Sequence, residues 1–384
     1  MLSQRVERFT ESVIRGMTRE CNRYGGVNLA QGFPDFDGPE EVKEAARRAV
    51  AEGWNQYAIT WGNPGIRRAI ARKAAWYNGI EVDPEEEITV VCGATEGMIA
   101  TLMAVLNPGD EAVIFEPFYE NYGPDTVLSG SVPRFVPLHP PDFTFDPGEL
   151  RGAFGPATRA IIVNTPHNPT GHVFTRGELE TIRDLCVEFD ALAVTDEVYE
   201  HILFDGRRHL SLAALEGMRE RTVTINSLSK TYSVTGWRVG YVLAPKGLTS
   251  GIRKVHDFLT VGAPAPLQEA AAVALSLPEA YYANLAAMYQ GKRDLLQGYL
   301  QRAEIPFVQP QGAYYVMADI SGFGCPDDAV FAMRLIREHG VAAVPGSSFY
   351  HTPGMGRDFV RFTFSKKEET LHKAGERLLA MARG

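Results

Sequence analysis

The sequence predicts an α/β protein built on a mostly parallel sheet that is covered by helices on both faces. Between residues 87 and 243, short apolar runs alternate with amphipathic stretches, a rhythm that indicates successive βαβ units. Thr175 and Glu178 have the spacing of a capping box, which predicts that a helix begins there. The length of 384 residues exceeds that of one typical domain, so we expect two lobes.

Composition argues against a protein that binds nucleic acid or a membrane surface. The formal net charge is −9, and the basic residues are scattered rather than clustered. The four cysteines show neither CxxC nor metal-ligand spacing and are expected to be free, buried thiols. The N-terminus is too polar for a signal peptide, and no apolar stretch is long enough to cross a membrane. We therefore expect a cytoplasmic enzyme without a metal.

Polar residues follow two of the predicted strands. The run Asn164–Gly171 comes directly after the apolar strand 159–163, and Asp196–Tyr199 comes directly after 191–194. Open α/β sheets bind their ligands beyond the carboxyl ends of their strands. Each cluster alone also fits an ordinary turn, but their succession along the chain predicts one shared ligand site.

Lys230 lies between two further strand-like runs, 222–225 and 239–243. Hydroxyl residues precede it and Arg238 follows eight positions later, which suits a Schiff-base amine beside a phosphate. An isolated lysine would more often be a solvated loop residue, and the upstream clusters favour the chemical interpretation. A small-residue turn, 93–97, precedes an apolar helix, so the amides of Ala94 and Thr95 are expected to point at an anion.

The ordered set of these motifs resembles the fold-type I pyridoxal-phosphate aminotransferases, within the aspartate aminotransferase superfamily. The resemblance runs from Asn28–Phe36 through Asn168–Gly171 to Val360–Phe362. It is nearest to the group of kynurenine aminotransferases, glutamine transaminase K and bacterial methionine aminotransferases. It implies a large domain, residues 39–281, with a mostly parallel sheet of the seven-stranded type between helices. It also implies a small α+β domain formed by residues 1–38 and 282–384.

The resemblance assigns each cofactor contact to a residue of this chain. Lys230 would form the Schiff base and move the substrate proton, Asp196 would hold the pyridinium nitrogen protonated, and Tyr199 and Asn168 would bind the phenolic oxygen. The remaining expected cofactor contacts are ring stacking by Phe118 and phosphate binding by Ala94, Thr95, Ser227, Arg238 and, from the second subunit of a homodimer, Tyr57.

Substrate recognition is expected around Arg361, which lies in an alternating strand-like run and is costly to bury without an anion. The resemblance makes it the clamp for the substrate α-carboxylate, with Asn168, Tyr57 and Gly32 completing the substrate site. The apolar side-chain pocket is expected to be formed by Ile14, Phe33, Trp61 and Tyr119. Neutral or aromatic amino acids such as methionine, phenylalanine and glutamine are therefore the predicted donors.

The sequence departs from the kynurenine aminotransferases at two places. Gly262-Ala263 replaces an aromatic–histidine pair, and Ile14 lies where a tryptophan is expected. These smaller side chains put aromatic stacking on kynurenine in doubt. Arg15 or Arg19, in the predicted N-terminal helix, could instead reach a second substrate carboxylate.

Two other functions compete with amino transfer. A pyridoxal-phosphate carbon–sulfur β-lyase, acting on cysteine conjugates or cystathionine, would use the same lysine, aspartate, tyrosine and arginine. A regulator built on such a domain would need a DNA-binding module, for which the short, non-basic N-terminal extension leaves no room. Nucleotide binding is disfavoured because no GxxxxGK[ST] occurs and Gly322–Cys325 lacks the third glycine of a dinucleotide fingerprint.

Overall fold

A computed structural model describes residues 3–383 of the chain. Its strands, in chain order, are β1 (Val27–Asn28), β2 (Ile88–Val91), β3 (Glu111–Glu116), β4 (Val132–Pro137), β5 (Thr158–Asn164), β6 (Leu192–Asp196), β7 (Thr222–Ser227), β8 (Gly240–Leu243), β9 (Tyr315–Asp319), β10 (Val341–Ala342), β11 (Val344–Pro345) and β12 (Phe359–Thr363).

Its α-helices are α1 (Val13–Arg23), α2 (Glu40–Ala51), α3 (Pro64–Lys73), α4 (Ala94–Val105), α5 (Tyr122–Leu128), α6 (Pro147–Gly152), α7 (Arg176–Glu188), α8 (Leu228–Thr231), α9 (Lys246–Thr260), α10 (Ala265–Ala274), α11 (Glu279–Arg302), α12 (Asp328–His339) and α13 (Glu368–Arg383). A π-helical turn, Ala74–Asn78, continues α3. Short 3₁₀ turns occur at Val6–Arg8, Leu212–Ala214, Arg219–Arg221, Thr235–Trp237, Ser321–Phe323 and Gly346–Phe349.

The main sheet has the strand order β2-β8-β7-β6-β5-β3-β4 within the described residues. Strands β4, β3, β5, β6 and β7 are parallel neighbours, whereas β8 pairs antiparallel with both β7 and β2. Most residues of the central strands are buried because helices cover both faces, and this explains why those strands are apolar runs rather than alternating ones. The predicted α/β fold class with a mostly parallel sheet is confirmed.

The two ends of the chain pack together beside this sheet. Strand β1 pairs in parallel with β10, and β11, β12 and β9 form an antiparallel sheet. Ile14, Met17 and Cys21 of α1 share a buried apolar cluster with Ala332 and Ile336 of α12. Helix α11 begins at Glu279, three positions before the expected boundary at residue 282. The division into domains at 38/39 and 281/282 stays a prediction.

Local sequence signals explain where several helices begin. Thr175 and Glu178 form the predicted capping box at the start of α7, with each side chain bonding the other residue's backbone amide. Asp146 and Asp327 cap α6 and α12 through their side chains. Helix α4 differs, because Gly93 precedes it and supplies no side-chain cap. Its first amides are thereby left for another acceptor.

None of the helices in the described residues is both long enough and apolar enough to cross a membrane. The four cysteines are free thiols; Cys21 and Cys186 are buried, whereas Cys92 and Cys325 are partly exposed. The expectation of free thiols is therefore confirmed, whereas the expected burial holds only for Cys21 and Cys186.

Candidate active site

A cavity of about 780 Å³ opens beyond the carboxyl ends of the parallel strands. Asn164, Asp196 and Ser227, the last residues of β5, β6 and β7, all line it. The parallel register places Asn164 directly beside Asp196, and Lys230 follows β7 within α8. The predicted site residues that the fold brings to this cavity are Gly32, Ala94, Thr95, Asn168, Asp196, Tyr199, Ser227, Lys230, Arg238 and Arg361.

Lys230 presents its amine to the interior of the cavity. Its Nζ lies 5.7 Å from the ring centre of Tyr199 and 5.6 Å from that of Tyr314. Burial lowers the pKa of Lys230, the charge of Asp196 opposes this effect, and the charges of Arg238 and Arg361 add to it, so that the pKa is about 8. An amine with this pKa reaches its neutral, nucleophilic form far more readily than an ordinary lysine does.

Asp196 is a buried carboxylate at the end of β6. Its Oδ2 accepts a hydrogen bond from the Tyr122 hydroxyl at 2.7 Å, and its Oδ1 accepts one from the Val198 amide at 3.3 Å. Burial raises the pKa of Asp196, and both hydrogen bonds and the Lys230 charge oppose that rise. Within the described residues Asp196 forms no ion pair closer than 4.0 Å. A cationic ligand atom would supply the missing counter-charge.

Tyr122 is a site residue that the sequence did not reveal. It begins α5, 74 positions before Asp196 along the chain, and its hydroxyl donates a hydrogen bond to that carboxylate. An aromatic residue in the first turn of a helix after a buried strand is an ordinary core pattern. The only sequence signal for Tyr122 would have been its position shortly after a predicted strand, which the other site residues share.

Arg361 is fully buried in the central strand of the small antiparallel sheet. Its Nη1 donates to Asn168 Oδ1 at 2.7 Å and its Nη2 donates to the Ala30 carbonyl at 2.8 Å, while Nε has no partner among the described residues. The guanidinium also lies over the Tyr315 ring at 4.1 Å. A buried guanidinium without a carboxylate partner is a receptor for an anionic group of a ligand.

The amino end of α4 faces the same cavity. The amides of Ala94 and Thr95 have no acceptor within the part of the chain that the structure describes, and the buried Ser227 Oγ is likewise unpartnered. Gly93 has a φ of +82°, and a Cβ there would collide with the guanidinium of Arg238. Glycine is thus required for Arg238 to approach this helix end. Two open amides, a free hydroxyl and a guanidinium fit a phosphate group.

A segment from the N-terminal part of the chain covers the cavity. Gly32 lies against the Tyr315 ring so closely that a Cβ would collide with its hydroxyl, and its carbonyl accepts from the Tyr314 hydroxyl at 2.8 Å. Lys366 Nζ donates to the Phe33 carbonyl at 2.7 Å, which ties the segment to the end of β12. The Tyr315 hydroxyl in turn lies 3.1 Å from that of Tyr199.

The expected stacking aromatic Phe118 does not reach the cavity. Its ring stacks on Phe135 with 5.2 Å between centroids, inside a core cluster. The next residue, Tyr119, lines the cavity instead. The expectation that Phe118 faces the site is therefore wrong: two adjacent aromatic residues follow β3, and the path of the turn directs Tyr119 rather than Phe118 into the cavity.

Two other predicted residues also lie outside this cavity. Trp61 packs against Arg253, whose guanidinium lies 4.9 Å from the ring, so its expected place in the side-chain pocket is wrong. Tyr57 is 88% exposed on the surface of the chain. Its expected role was in the site of a second subunit, and that role stays a prediction.

A buried charge network begins at Glu197, the residue that follows Asp196. Glu197, Glu200 and His209 offer ligand atoms that lie within 4.8 Å of one another. Each carboxylate already has a partner: Glu200 pairs with the Lys73 ammonium, and Glu197 Oε2 lies 2.7 Å from His209 Nε2. We interpret this group as structural, since a metal ion would have to displace the Lys73 ammonium.

Comparison with known proteins gives the family to which this fold and cavity belong. A family model described as aminotransferase class I and II matches residues 24–378. The probable N-succinyldiaminopimelate aminotransferase DapC of Mycobacterium tuberculosis is 39% identical over 393 residues, which cover 100% of this chain and 99% of that protein. Methionine aminotransferase of Escherichia coli is 38% identical, covering 96% and 95%. Human kynurenine–oxoglutarate transaminase 1 is 37% identical, covering 92% and 91%.

Solved structures agree with this result. The N-succinyldiaminopimelate aminotransferase from Mycobacterium tuberculosis superposes with a TM-score of 0.97 at 39% identity, covering 99% of this chain and 100% of that one. Aspartate aminotransferase from Thermus thermophilus superposes with a TM-score of 0.92 at 37% identity, covering 99% of both chains.

The fold and the site together define a fold-type I transferase of amino groups. The chain belongs to the class I and II aminotransferases, a family of pyridoxal-phosphate enzymes. It transfers an amino group between an amino acid and a 2-oxo acid. Nothing in the comparisons favours the β-lyase alternative.

Proposed function

We propose that the cavity binds pyridoxal 5′-phosphate and an amino acid together, with Lys230 as the reacting amine. The observation that carries this proposal is the meeting of three unlike receptors in one cavity: a low-pKa amine, a buried carboxylate without a cation, and a buried guanidinium without an anion. The carboxylate lacks the positive charge that a cofactor ring nitrogen would bring, and the guanidinium lacks the negative charge that a substrate carboxylate would bring.

The cofactor, when bound, supplies a carbonyl carbon that carries the amino group and a ring that accepts electrons. Ala94, Thr95, Ser227 and Arg238 would hold its phosphate, and Tyr119 would lie against its ring. Asp196, held by Tyr122, would keep the ring nitrogen protonated. Tyr199 and Asn168 would donate to the phenolic oxygen.

The substrate would be held and deprotonated by residues of the same cavity. Arg361 would bind the α-carboxylate and so orient the Cα–H bond toward Lys230. Lys230 Nζ would take the Cα proton and later return it, for which a pKa of about 8 is well suited near neutral pH. The covering segment around Gly32 would keep water from the reacting atoms.

For the donor we propose neutral and aromatic amino acids, methionine and phenylalanine among them. Ile14 and Phe33 line the cavity with Tyr119 and offer apolar contact to such side chains. Burial of an aspartate side chain against these residues would cost desolvation energy. The names of the Escherichia coli and human relatives, which refer to methionine and kynurenine, support this substrate class.

One observation favours a second candidate class, amino acids that carry a carboxylate far from the reacting amine. Arg15 lines the cavity on α1 and forms no ion pair closer than 4.0 Å within residues 3–383. Glu120 also lines the cavity, and its carboxylate accepts a hydrogen bond from the Ser12 hydroxyl. The Mycobacterium tuberculosis relative is named for N-succinyldiaminopimelate, an amino acid with distal carboxylates.

We further propose that the enzyme is a homodimer in which Tyr57 reaches the phosphate of the partner's site. Tyr57 and Ile59 lie on an exposed loop, and Phe258, Leu259 and Val261 are exposed at the end of α9. The loop and helix are joined where His256 contacts the Thr60 carbonyl at 2.9 Å. The two form one apolar surface, which we call the Tyr57/Phe258 surface, and such surfaces mark protein contacts.

The substrate proposals are tested by amino-transfer kinetics with pyridoxal phosphate and 2-oxoglutarate as acceptor. Methionine, phenylalanine, kynurenine, aspartate and N-succinyl-LL-diaminopimelate are compared by kcat/KM. We expect methionine and phenylalanine to exceed aspartate and kynurenine. If N-succinyl-LL-diaminopimelate exceeds all of them, the second class is correct, whereas preference for aspartate contradicts the first. Release of pyruvate and ammonia from a cysteine conjugate without any acceptor would reveal lyase activity.

A further inference from the structure

Glu96 places a negative charge at the helix end proposed to hold phosphate. It is the third residue of α4, it is 9% exposed, and it lines the cavity beside Ala94 and Thr95. Its Oε2 accepts a hydrogen bond from the Cys92 amide at 3.0 Å. An acidic residue in the first turn stabilises a helix, but an uncompensated carboxylate there would repel a phosphate dianion bound at the same amides.

His256 provides the compensating charge. This fully buried residue of α9 has its Nδ1 at 2.9 and 3.0 Å from the two carboxylate oxygens of Glu96 and its Nε2 at 2.9 Å from the Thr60 carbonyl. Neutral imidazole carries only one N–H, so one ring nitrogen would then turn its lone pair toward an acceptor that cannot donate. Only the imidazolium form donates both to the Glu96 carboxylate and to the Thr60 carbonyl; the Thr260 hydroxyl, the other group near Nδ1, lies farther away at 3.2 Å.

The electrostatic surroundings point the same way. Burial by itself disfavours the charged ring, but the hydrogen bond and the charge of Glu96, with the Thr60 carbonyl and Asp257 adding to them, raise the pKa of His256. The Glu96–His256 pair therefore carries no net charge, and the backbone amides of α4 keep their attraction for an anion.

We propose that His256 is a positioning residue for cofactor binding: as imidazolium it neutralises Glu96 and so keeps the amino end of α4 able to hold a phosphate. This inference rests on the proposed binding of pyridoxal phosphate at that helix end. The same ring fixes the Thr60 carbonyl, three residues after Tyr57, so it also anchors the loop of the Tyr57/Phe258 surface.

The test is the affinity of the cofactor-free protein for pyridoxal 5′-phosphate and for pyridoxal, which lacks the phosphate, measured by fluorescence titration. The variants are His256→Asn, which can still donate to Glu96 but is uncharged, Glu96→Gln, and the double variant. The control is His172→Asn, which removes another histidine–glutamate pair, partly buried and outside the cavity, with 2.9 Å between His172 Nε2 and Glu178 Oε1.

We expect His256→Asn to lose on the order of tenfold in affinity for pyridoxal phosphate and little for pyridoxal. Glu96→Gln should bind at least as tightly as the wild type, and the double variant should recover to within about twofold, because both leave no net negative charge at the helix end. His172→Asn should match the wild type.

The proposal is overturned if His256→Asn binds pyridoxal phosphate normally, if pyridoxal loses as much affinity, or if the double variant stays as weak as the single one. Should His256→Asn fail to fold, Glu96→Gln decides, since weaker binding there contradicts the proposal. If the wild type itself does not bind pyridoxal phosphate, the proposed function fails instead, and inorganic phosphate binding at the same helix end still tests His256.

Discussion

Three buried side chains, Lys230, Asp196 and Arg361, have charges that their protein neighbours do not fully balance. Arg361 donates only to Asn168 and to a carbonyl oxygen, and Asp196 accepts only from neutral groups at hydrogen-bond distance. Burying such groups is unfavourable without a partner. Their arrangement is explained if the cofactor and the substrate supply the missing charges, which is the basis of the proposed site.

The depressed pKa of Lys230 predicts an unusual reactivity of the cofactor-free protein. Its pKa of about 8 lies below the ordinary value of 10.5, so the amine is an ammonium below pH 8 and becomes neutral as the pH rises through 8. Labelling with an amine-reactive reagent, read by peptide mass spectrometry, should show a midpoint near pH 8 for Lys230. Lys43, whose pKa is raised by its hydrogen bonds to Glu40 and Asp37, should show a higher midpoint. Equal midpoints would contradict the burial argument.

Asp196→Asn is predicted to keep cofactor binding while lowering the transamination rate by about a thousandfold, which is about 4 kcal/mol of barrier. The asparagine retains an acceptor for the Tyr122 hydroxyl but loses the charge that holds a ring proton. Single-turnover kinetics with methionine measures the effect. Tyr122→Phe, which removes only a hydrogen bond, should cost about tenfold. A rate for Asp196→Asn within about tenfold of the wild type would mean that another group holds the proton.

At the scale of elements, helix α1 brings Arg15 to the cavity and leaves Arg19 outside it, paired with Glu11 at 2.7 Å. If substrates with a distal carboxylate are used, Arg15→Ala should raise their KM by about tenfold, on the order of 1.4 kcal/mol, and leave methionine unaffected. Arg19→Ala is the matched control and should change neither. A parallel rise for methionine would show that Arg15 supports the fold of α1 rather than a carboxylate.

The sequence predicted the elements that carry local signals and missed details set by tertiary contacts. Alternating apolar and amphipathic stretches predict the parallel sheet, because buried strands and covering helices differ in period. Ser365 and Glu368 also have the spacing of a capping box, but none forms there, since the Ser365 hydroxyl lies 2.8 Å from Thr363 Oγ1 and Asp35 bonds the Lys367 amide instead. No local pattern reveals a capping residue that lies more than 300 positions away.

The site residues, too, could be predicted only where a local sequence pattern reveals them. Residues at successive strand ends could be grouped in advance because parallel strands end at one edge. Choosing between Phe118 and Tyr119 required the path of the turn after β3, and the Tyr122–Asp196 hydrogen bond required the packing of α5 against β6. The place of Trp61 against Arg253 was likewise invisible in the sequence.

At the scale of the whole molecule, the proposed homodimer predicts complementation between two inactive variants. Lys230→Ala lacks the amine, and Tyr57→Phe lacks the hydroxyl that would reach the partner's phosphate. In a mixed dimer, one of the two sites therefore contains Lys230 from the Tyr57→Phe subunit and Tyr57 from the Lys230→Ala subunit, and this site is intact. Mixing refolded subunits at low cofactor concentration should restore activity toward about a quarter of the wild-type value, as random pairing of the two variants gives. A fully active monomer in sedimentation would contradict the dimer.

The Tyr57/Phe258 surface offers an independent control for assembly. Phe258 is 91% exposed and lies outside the cavity. Phe258→Asp should weaken the association of the two subunits, because it places a charge in an apolar contact. A charge at Val187, which is exposed on α7, should leave subunit association unchanged.

Pyridoxal-phosphate-dependent amino transfer at Lys230 is tested most directly by isotope transfer. The purified enzyme is incubated with pyridoxal phosphate, ¹⁵N-labelled methionine or phenylalanine, and 2-oxoglutarate, and ¹⁵N-glutamate is measured by mass spectrometry. The account predicts label in glutamate in proportion to the oxo acid formed, and its loss in Lys230→Ala but not in Lys246→Ala. Undiminished transfer by Lys230→Ala would contradict the account.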